Sequence, residues 1–253
     1  MSGVVRYVSA SGGAYVRSTP AGSQILALAF GELMYDISGV SKVTASLNGV
    51  SYVWVKVHYY HINSNNSTTT GDGWITEVNT TTVSSVHPAK VNVYYSGTNV
   101  QYKRFTNARY IYDYLHSNGW NNNSIFGALG NMEIESYINT TTVNSIGAYG
   151  LVQWYPSTKL TSWLPPGSNT SDIDNQLDRL IYESYHEIEW STANIPSGDD
   201  ILNFAQYRAS SKTAAKLAEY FVRCYEKCGN YSVEVPIRAA SASKWSDLIL
   251  TIL

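Results

Sequence analysis

The spacing of apolar residues changes period once along this chain of 253 residues, and that change limits what it can fold into more than any other feature. Before about residue 86 the apolar runs are short and strand-like: Gln24-Ile-Leu-Ala-Leu28, Leu33-Met-Tyr-Asp-Ile37, Tyr52-Val-Trp-Val-Lys-Val57 and Trp74-Ile-Thr76. Clusters of Gly, Asn and Ser separate them, and no helix of standard length fits between, so this part reads as a small all-β barrel. Thr68 to Gly73, inside an Asn-Ser-Thr-rich stretch, reads as a surface loop. From Thr106 the spacing turns helical, with stop signals at Gly119, Gly167 and Gly229 and start signals at Ser171, Ser197 and Ser211. The segment Pro236 to Leu253 reads as a closing helix that turns Trp245, Leu248 and Ile249 inward. The expected architecture is therefore α+β in two domains, residues 1–86 and 106–253. A linker at 87–105, with one added strand in its Val-Asn-Val-Tyr-Tyr run, joins them.

One carboxylate in the helical part asks for an explanation. Ile125 to Tyr137 reads as a helix, with Ser124 as N-cap and Ile125, Ala128, Leu129 and Met132 on one stripe. Glu135 falls at the edge of that stripe. At about 100° per residue Glu133 lies roughly 200° away, on the opposite flank, so the two acids do not face each other. A carboxyl group that ends a buried stripe is partly desolvated, which favours its protonated form and suits it to deliver a proton. The plain alternative is that Glu135 marks where a helix emerges into water.

The surrounding residues weigh against that alternative. Leu129-Gly-Asn-Met-x-x-Glu-Ser136, followed by Gly150-Leu-Val-Gln-Trp154, resembles the phage tail lysozyme family of the lysozyme-like superfamily. The resemblance runs from about Thr106 to Trp245. Asn107 to Trp120 is similar to the family's first helix and its exit, and Ala218 to Glu226 to a late helix. Two positions depart from the pattern: Asn139-Thr140 stands where Asn-Pro is usual, and Val152 where a small residue is common. The resemblance implies cleavage of peptidoglycan glycan strands, with Glu135 as the catalytic acid. It places Ser136, in the turn that follows, with Tyr149, Gln153 and Trp154 among the substrate-binding residues. Chemistry agrees in part, because Gln serves sugar hydroxyl and acetamido groups and aromatic faces stack on pyranose rings. Trp154, after Leu-Val, is equally a core residue.

A hydrolase ordinarily needs a second carboxylate. Asp172, Asp174 and Glu183 are candidates without a motif, and helix capping accounts for the first two. Without a second acid, one Glu can act first as acid and then as base, with the muramic 6-hydroxyl as internal nucleophile. That route is a lytic transglycosylase and yields an anhydro sugar. A wall-binding or phage tail structural protein that does not cut is the reading from another class.

In the first part, Gly13-Ala-Tyr-Val-Arg-Ser-Thr-Pro20, Phe30-Gly-Glu32, Gly49 to Val57 and Gly73-Trp-Ile75 resemble a bacterial SH3 domain. That likeness implies a wall-binding module. Tyr15, Tyr35, Tyr59, Tyr60 and Trp74 are candidate groove residues, and aromatics are also what strands bury.

Composition narrows the partners. Charged residues make up 14%, below the roughly 25% usual for soluble proteins, and uncharged polar residues with 21 Tyr take their place. This profile suits work outside the cytoplasm on a carbohydrate. Net charge is −2, with four basic and four acidic residues up to Val86 and thirteen basic and fifteen acidic beyond, so no broad basic surface points to nucleic acid. Cys224 and Cys228 lie four apart near a helix end, where a disulfide would be strained. The five His are scattered without a zinc spacing, so no metal and no cofactor is expected. The N-terminus lacks an apolar signal core and no run approaches the roughly 18 residues of a membrane span. The expected setting is the bacterial cell wall, reached from a phage virion or from the host cytoplasm at lysis, with peptidoglycan and phage tail proteins as partners.

Overall fold

The computed structural model describes residues 4–63, 68–83 and 101–253. They fall into two compact units, one holding the strands together with Asp247–Leu253, the other Arg104–Ser246. An antiparallel sheet followed by helices confirms the α+β, two-domain reading.

Among the described residues the sheet unit has eight strands: β1 Val5–Val8, β2 Ala14–Arg17, β3 Gln24–Leu28, β4 Leu33–Asp36, β5 Val43–Leu47, β6 Val50–Ile62, β7 Thr68–Thr76 and β8 Thr80–Thr82. Pairing runs β3-β2-β7-β6-β4-β1-β8, with β5 on β6, and every pair is antiparallel. Alternation selects the core: Val8, Val16, Leu28, Met34, Val55, Val57 and Ile75 turn to one side and pack together. Asn48 and Gly49, both at positive φ, make the two-residue turn that sets Leu47 opposite Val50. The expected loop at Thr68 to Gly73 is instead strand. Its residues pair with β6 from Thr68 opposite Ile62 to Gly73 opposite Val57. Threonine favours the pleated surface, and at Gly73 a Cβ would sit 2.2 Å from the Val16 side chain, so the glycine is a packing requirement rather than a turn signal. The strand expected at residues 91–95 lies outside the described residues.

The helices among the described residues are α1 Gln101–Ser117, α2 Asn122–Ser136, α3 Thr158–Thr161, α4 Ile173–His186, α5 Phe204–Ala209, α6 Ala214–Phe221, a π-helical turn Val222–Glu226, and α7 Tyr231–Ile252, and their part within Arg104–Ser246 makes up the helical unit. Helix α2 lies at its centre, buried nearly all round. Two glycines let its backbone meet its neighbours directly. A Cβ on Gly127 would lie 2.8 Å from the Leu217 carbonyl carbon of α6, and one on Gly130 would lie 2.6 Å from the Arg238 carbonyl oxygen of α7.

Helix starts differ from expectation by a few residues. The cap of α2 is Asn121, whose side chain accepts from the Asn123 N–H, while Ser124 lies in the first turn and donates to the Asn121 and Arg208 carbonyls. Asp172, Asn203 and Thr213 cap α4, α5 and α6. Helix α7 begins at Tyr231, so Pro236 lies within it, and Trp245, Leu248 and Ile249 are buried as expected. Cys224 and Cys228 are free thiols. Among the described residues no helix is long and apolar enough to cross a membrane.

Candidate functional site

Glu135 sits in the last turn of α2 with its side chain 21% exposed, and its Oε1 accepts a hydrogen bond of 2.7 Å from Arg238 Nη2. Arg238 is buried and held by others as well: it donates to Glu234 on its own helix and to Asn131 Oδ1 at 3.2 Å. The guanidinium is thereby fixed, and it fixes one carboxyl oxygen of Glu135.

Glu133 has a different role. The stripe drawn from sequence put it on the flank away from Glu135, and because α2 is enclosed on all sides that flank is interior too. Its carboxylate receives Lys244 Nζ at 2.5 and 2.6 Å, Arg104 at 3.2 Å, Trp245 Nε1 at 3.0 Å and the Ser241 hydroxyl. Burial pushes its proton affinity up, and the charges of Lys244 and Arg104 outweigh burial, so the net displacement is downward. Glu133 is a buried ionic hub rather than a reactive group.

After α2 the chain reverses sharply. Tyr137 and Ile138 both take positive φ, and the Asn107 side chain holds the Ile138 carbonyl at 2.9 Å. Ser136, expected to meet substrate, is fully buried; its hydroxyl serves the Met132 and Leu151 carbonyls at 2.9 and 2.8 Å. It ties the returning segment to α2. Gly150 is needed where the segment passes Gln176, since a Cβ there would lie 2.7 Å from the Gln176 amide oxygen at a φ of +81°. Tyr149 and Trp154 bridge across this turn, and Gln153 inside it holds a φ of 50°. The Gln153 Nε2 donates to the Thr142 and Gly150 carbonyls at 3.1 and 2.8 Å. Its Oε1 is buried with no hydrogen-bond partner. Tyr149 is half-buried and its hydroxyl bonds Ser171 at 2.8 Å.

Trp154 is buried as a core residue, and its indole N–H donates to Glu183 at 3.1 Å. Glu183, one of the three expected second acids, is itself fully buried beneath it, bonded also to Arg179 at 2.7 Å and to the Tyr225 hydroxyl. Burial pushes its proton affinity up. Asp172 caps α4, and Asp174 accepts from the Tyr110 hydroxyl at 2.7 Å. Each of the three has structural work.

A cleft of about 320 Å³ opens along Gln153, Trp154, Tyr155, Tyr225, Glu226 and Lys227. Glu226, at the end of the π-helical turn, was read from sequence only as the end of a helix. One of its carboxyl oxygens is buried without a partner. Burial first, then the charge of Glu135, push its proton affinity well above the carboxylate range, with Arg238 opposing. No motif marks this residue; its significance comes from chain segments about ninety residues apart in sequence, which only the fold brings together. A larger groove, about 640 Å³, lies around His116, Trp120 and Asn122 at the other end of α2. It is about 20 Å of helix away from Glu135.

In the sheet unit the five aromatic candidates separate. Tyr59 and Tyr60 are buried, Tyr35 and Trp74 are half-buried, and Tyr15 is 51% exposed. Tyr35 stacks on His58 with centroids 5.2 Å apart. Among the described residues no group of three or more His, Cys, Asp or Glu side chains is placed to hold a metal.

A central enclosed helix ending in a partly exposed, arginine-held glutamate, with a Gln-bearing turn beside it, defines a lysozyme-like helical domain. The family model for phage tail lysozyme matches residues 106–249, and the chain belongs to that family. Over 146 residues it is 34% identical to morphogenesis protein 1 of Bacillus phage B103, a match covering 55% of this chain and 38% of that protein. The chain thus spans well under half the length of this curated relative.

Proposed function

We propose that the helical unit cleaves the β-1,4 bond between N-acetylmuramic acid and N-acetylglucosamine in peptidoglycan, with Glu135 as general acid. The observation that carries this reading is the placement of Glu135. It is partly exposed at the end of an otherwise enclosed helix, one oxygen is held at 2.7 Å by Arg238, and it lies within the family's matched region. Its proton goes to the bridging oxygen; the bond from that oxygen to the sugar C1 breaks, and its electron pair leaves with the oxygen. The same carboxylate then accepts a proton from the nucleophile that adds to C1. Gln153 and Tyr149 contact the glycan at the turn beside the acid, while Ser136 and Trp154 support that turn from inside.

The nucleophile separates two outcomes. Water gives a hydrolase and a free reducing end; the muramic 6-hydroxyl gives a lytic transglycosylase. The structural work already done by Asp172, Asp174 and Glu183 favours considering the second route beside the first. In this proposal the sheet unit is an SH3-like wall-binding module offering Tyr15, Tyr35 and Trp74. The protein acts at the bacterial wall as a phage component, carried on the virion or released at lysis. Mass spectrometry of sugars released from purified peptidoglycan, with and without borohydride, by the natural chain and Glu135→Gln tests the proposal. Reducible muramic ends lost in the variant indicate a hydrolase, and 1,6-anhydro ends a transglycosylase. No release from walls of several bacteria would leave a non-cutting wall-binding or tail structural protein.

A further inference from the structure

We propose that the groove at the N-terminal end of α2 is a second binding site, which takes the free carboxylate at the end of the peptide that peptidoglycan carries on its muramic acid. The inference rests on peptidoglycan being the substrate. Its first support is the chemistry of the groove, which is lined by His116, Trp120, Asn121, Asn122, Asn123 and Ala209 and by no acidic side chain among the described residues. These residues offer donors. Asn121 Oδ1 already accepts from the Asn123 N–H at 3.0 Å, and Asn122 Oδ1 from the Tyr112 hydroxyl at 3.0 Å. With both oxygens engaged, what the two amides have left to offer is N–H.

The second support is a contrast in bonding. The indoles of Trp54, Trp154, Trp190 and Trp245 each donate to an oxygen of the protein. Trp120 is 2% exposed, and its indole N–H has no partner. Phe204 and Tyr207 meet its ring edge-on, with centroids 6.0 and 6.2 Å away, so packing holds the orientation. Arg208, which precedes Ala209 of the groove, has a buried Nη1 that also lacks a partner. Its carbonyl receives the Asn121 N–H at 2.9 Å and the Ser124 hydroxyl at 2.8 Å, which anchors that residue to the start of α2. Folded proteins rarely leave buried donors empty, and two at one end of a helix mark a place where oxygens from a ligand are expected.

The third support is charge and reach. The groove surrounds the cap and first residues of a helix of 15 residues, whose positive end favours an anion, and the Arg208 guanidinium adds a full charge nearby. Capture of a terminal carboxylate by backbone and side-chain N–H groups is a recurring mode of peptide recognition. From Asn122 to Glu135 the helix covers about 20 Å. An extended peptide of about five residues covers about 17 Å, and the lactyl group that joins it to muramic acid lengthens it further. A peptide leaving a glycan bound near Glu135 therefore brings its last carboxylate within range of the groove.

The test is a nuclear magnetic resonance titration of the full chain, read at the indole N–H of Trp120. Trp120→Phe identifies that signal among the seven indoles by its loss. The probes are acetyl-D-alanyl-D-alanine, its C-terminal amide and inorganic phosphate, at matched ionic strength. The acid should shift the signal saturably, and the amide should bind about ten-fold more weakly. Asn122→Asp keeps the oxygen that Tyr112 bonds and suits the first turn of a helix, yet repels an anion. It should weaken binding of the acid about ten-fold or more while its Tm holds. An unmoved indole signal, equal affinity for acid and amide, or unaltered affinity in Asn122→Asp overturns the inference. A response to phosphate without one to the peptide also overturns it, and puts a phosphate polymer in the peptide's place. Sugar release from walls separates the two levels: a natural chain that cuts while the titration stays flat removes this site alone, and one that cuts no wall removes the reading beneath it.

Discussion

Gly130→Ala places one methyl group where α2 and α7 touch backbone to backbone. The new Cβ would lie 2.6 Å from the Arg238 carbonyl oxygen and 2.8 Å from the Ala242 Cβ. Restoring an ordinary 3.4 Å contact from 2.6 Å requires about 0.8 Å of separation, and no rotamer change can supply it, because the obstructing atom is backbone. Overpacking of this kind costs about 1–3 kcal/mol, and rigid backbone argues for the upper end. Alanine returns about 1 kcal/mol through helix propensity, leaving a net loss of about 2 kcal/mol. Since the displaced residue is Arg238, its hold on Glu135 shifts with it, and for the acid proposed above a roughly 1 Å misplacement costs about 100-fold in rate. Urea unfolding followed by circular dichroism, together with turnover on purified walls, measures both quantities. A midpoint equal to or above that of the natural protein would show that the two helices part freely, and the reasoning would fail.

Glu133→Gln should cost about 3–5 kcal/mol, because it removes the carboxylate charge that Lys244 and Arg104 share in the interior. The folded proton affinity of Glu133 is lowered, so its stabilisation is complete above the unfolded carboxylate range and is lost as pH falls through the lowered folded value; acid unfolding of the variant should therefore lose part of its pH dependence. Ser136→Ala should lower stability by about 1–2 kcal/mol by removing the hydroxyl that ties the Leu151 carbonyl to the Met132 carbonyl, with KM unchanged. A raised KM at unchanged stability would instead put that hydroxyl on the sugar. In native maleimide labelling read by mass, Cys228 should react first. Cys224 should react only as the chain unfolds, since burial excludes reagent and pushes its thiol up to about 12.

The division into strands and helices was legible because period-2 and helical spacings do not overlap here, and the Glu-Ser helix was legible because its apolar stripe and the turn after it agree. Boundaries failed where a nearby competitor took the cap: Asn121 instead of Ser124, Asn203 instead of Ser197. Thr68 to Gly73 was misread because polar residues with glycine look like a loop until their pairing with β6 is known. Helical arithmetic placed Glu133 opposite Glu135 and could not show that the opposite side is also interior, since that depends on α7. Glu226 was invisible for the same reason, its character being set by burial and then by Glu135 and Arg238 from other segments.

The buried hub at Glu133 has a consequence for the order in which this unit becomes competent during synthesis. The arginine that holds Glu135 follows it by 103 residues, and the lysine that neutralises Glu133 follows by 111. A nascent chain therefore carries both acids of α2 without these cations until α7 has left the ribosome. Assembly of the acid and closure of the core are then a single late event, and a chain ending before Arg238 should have neither.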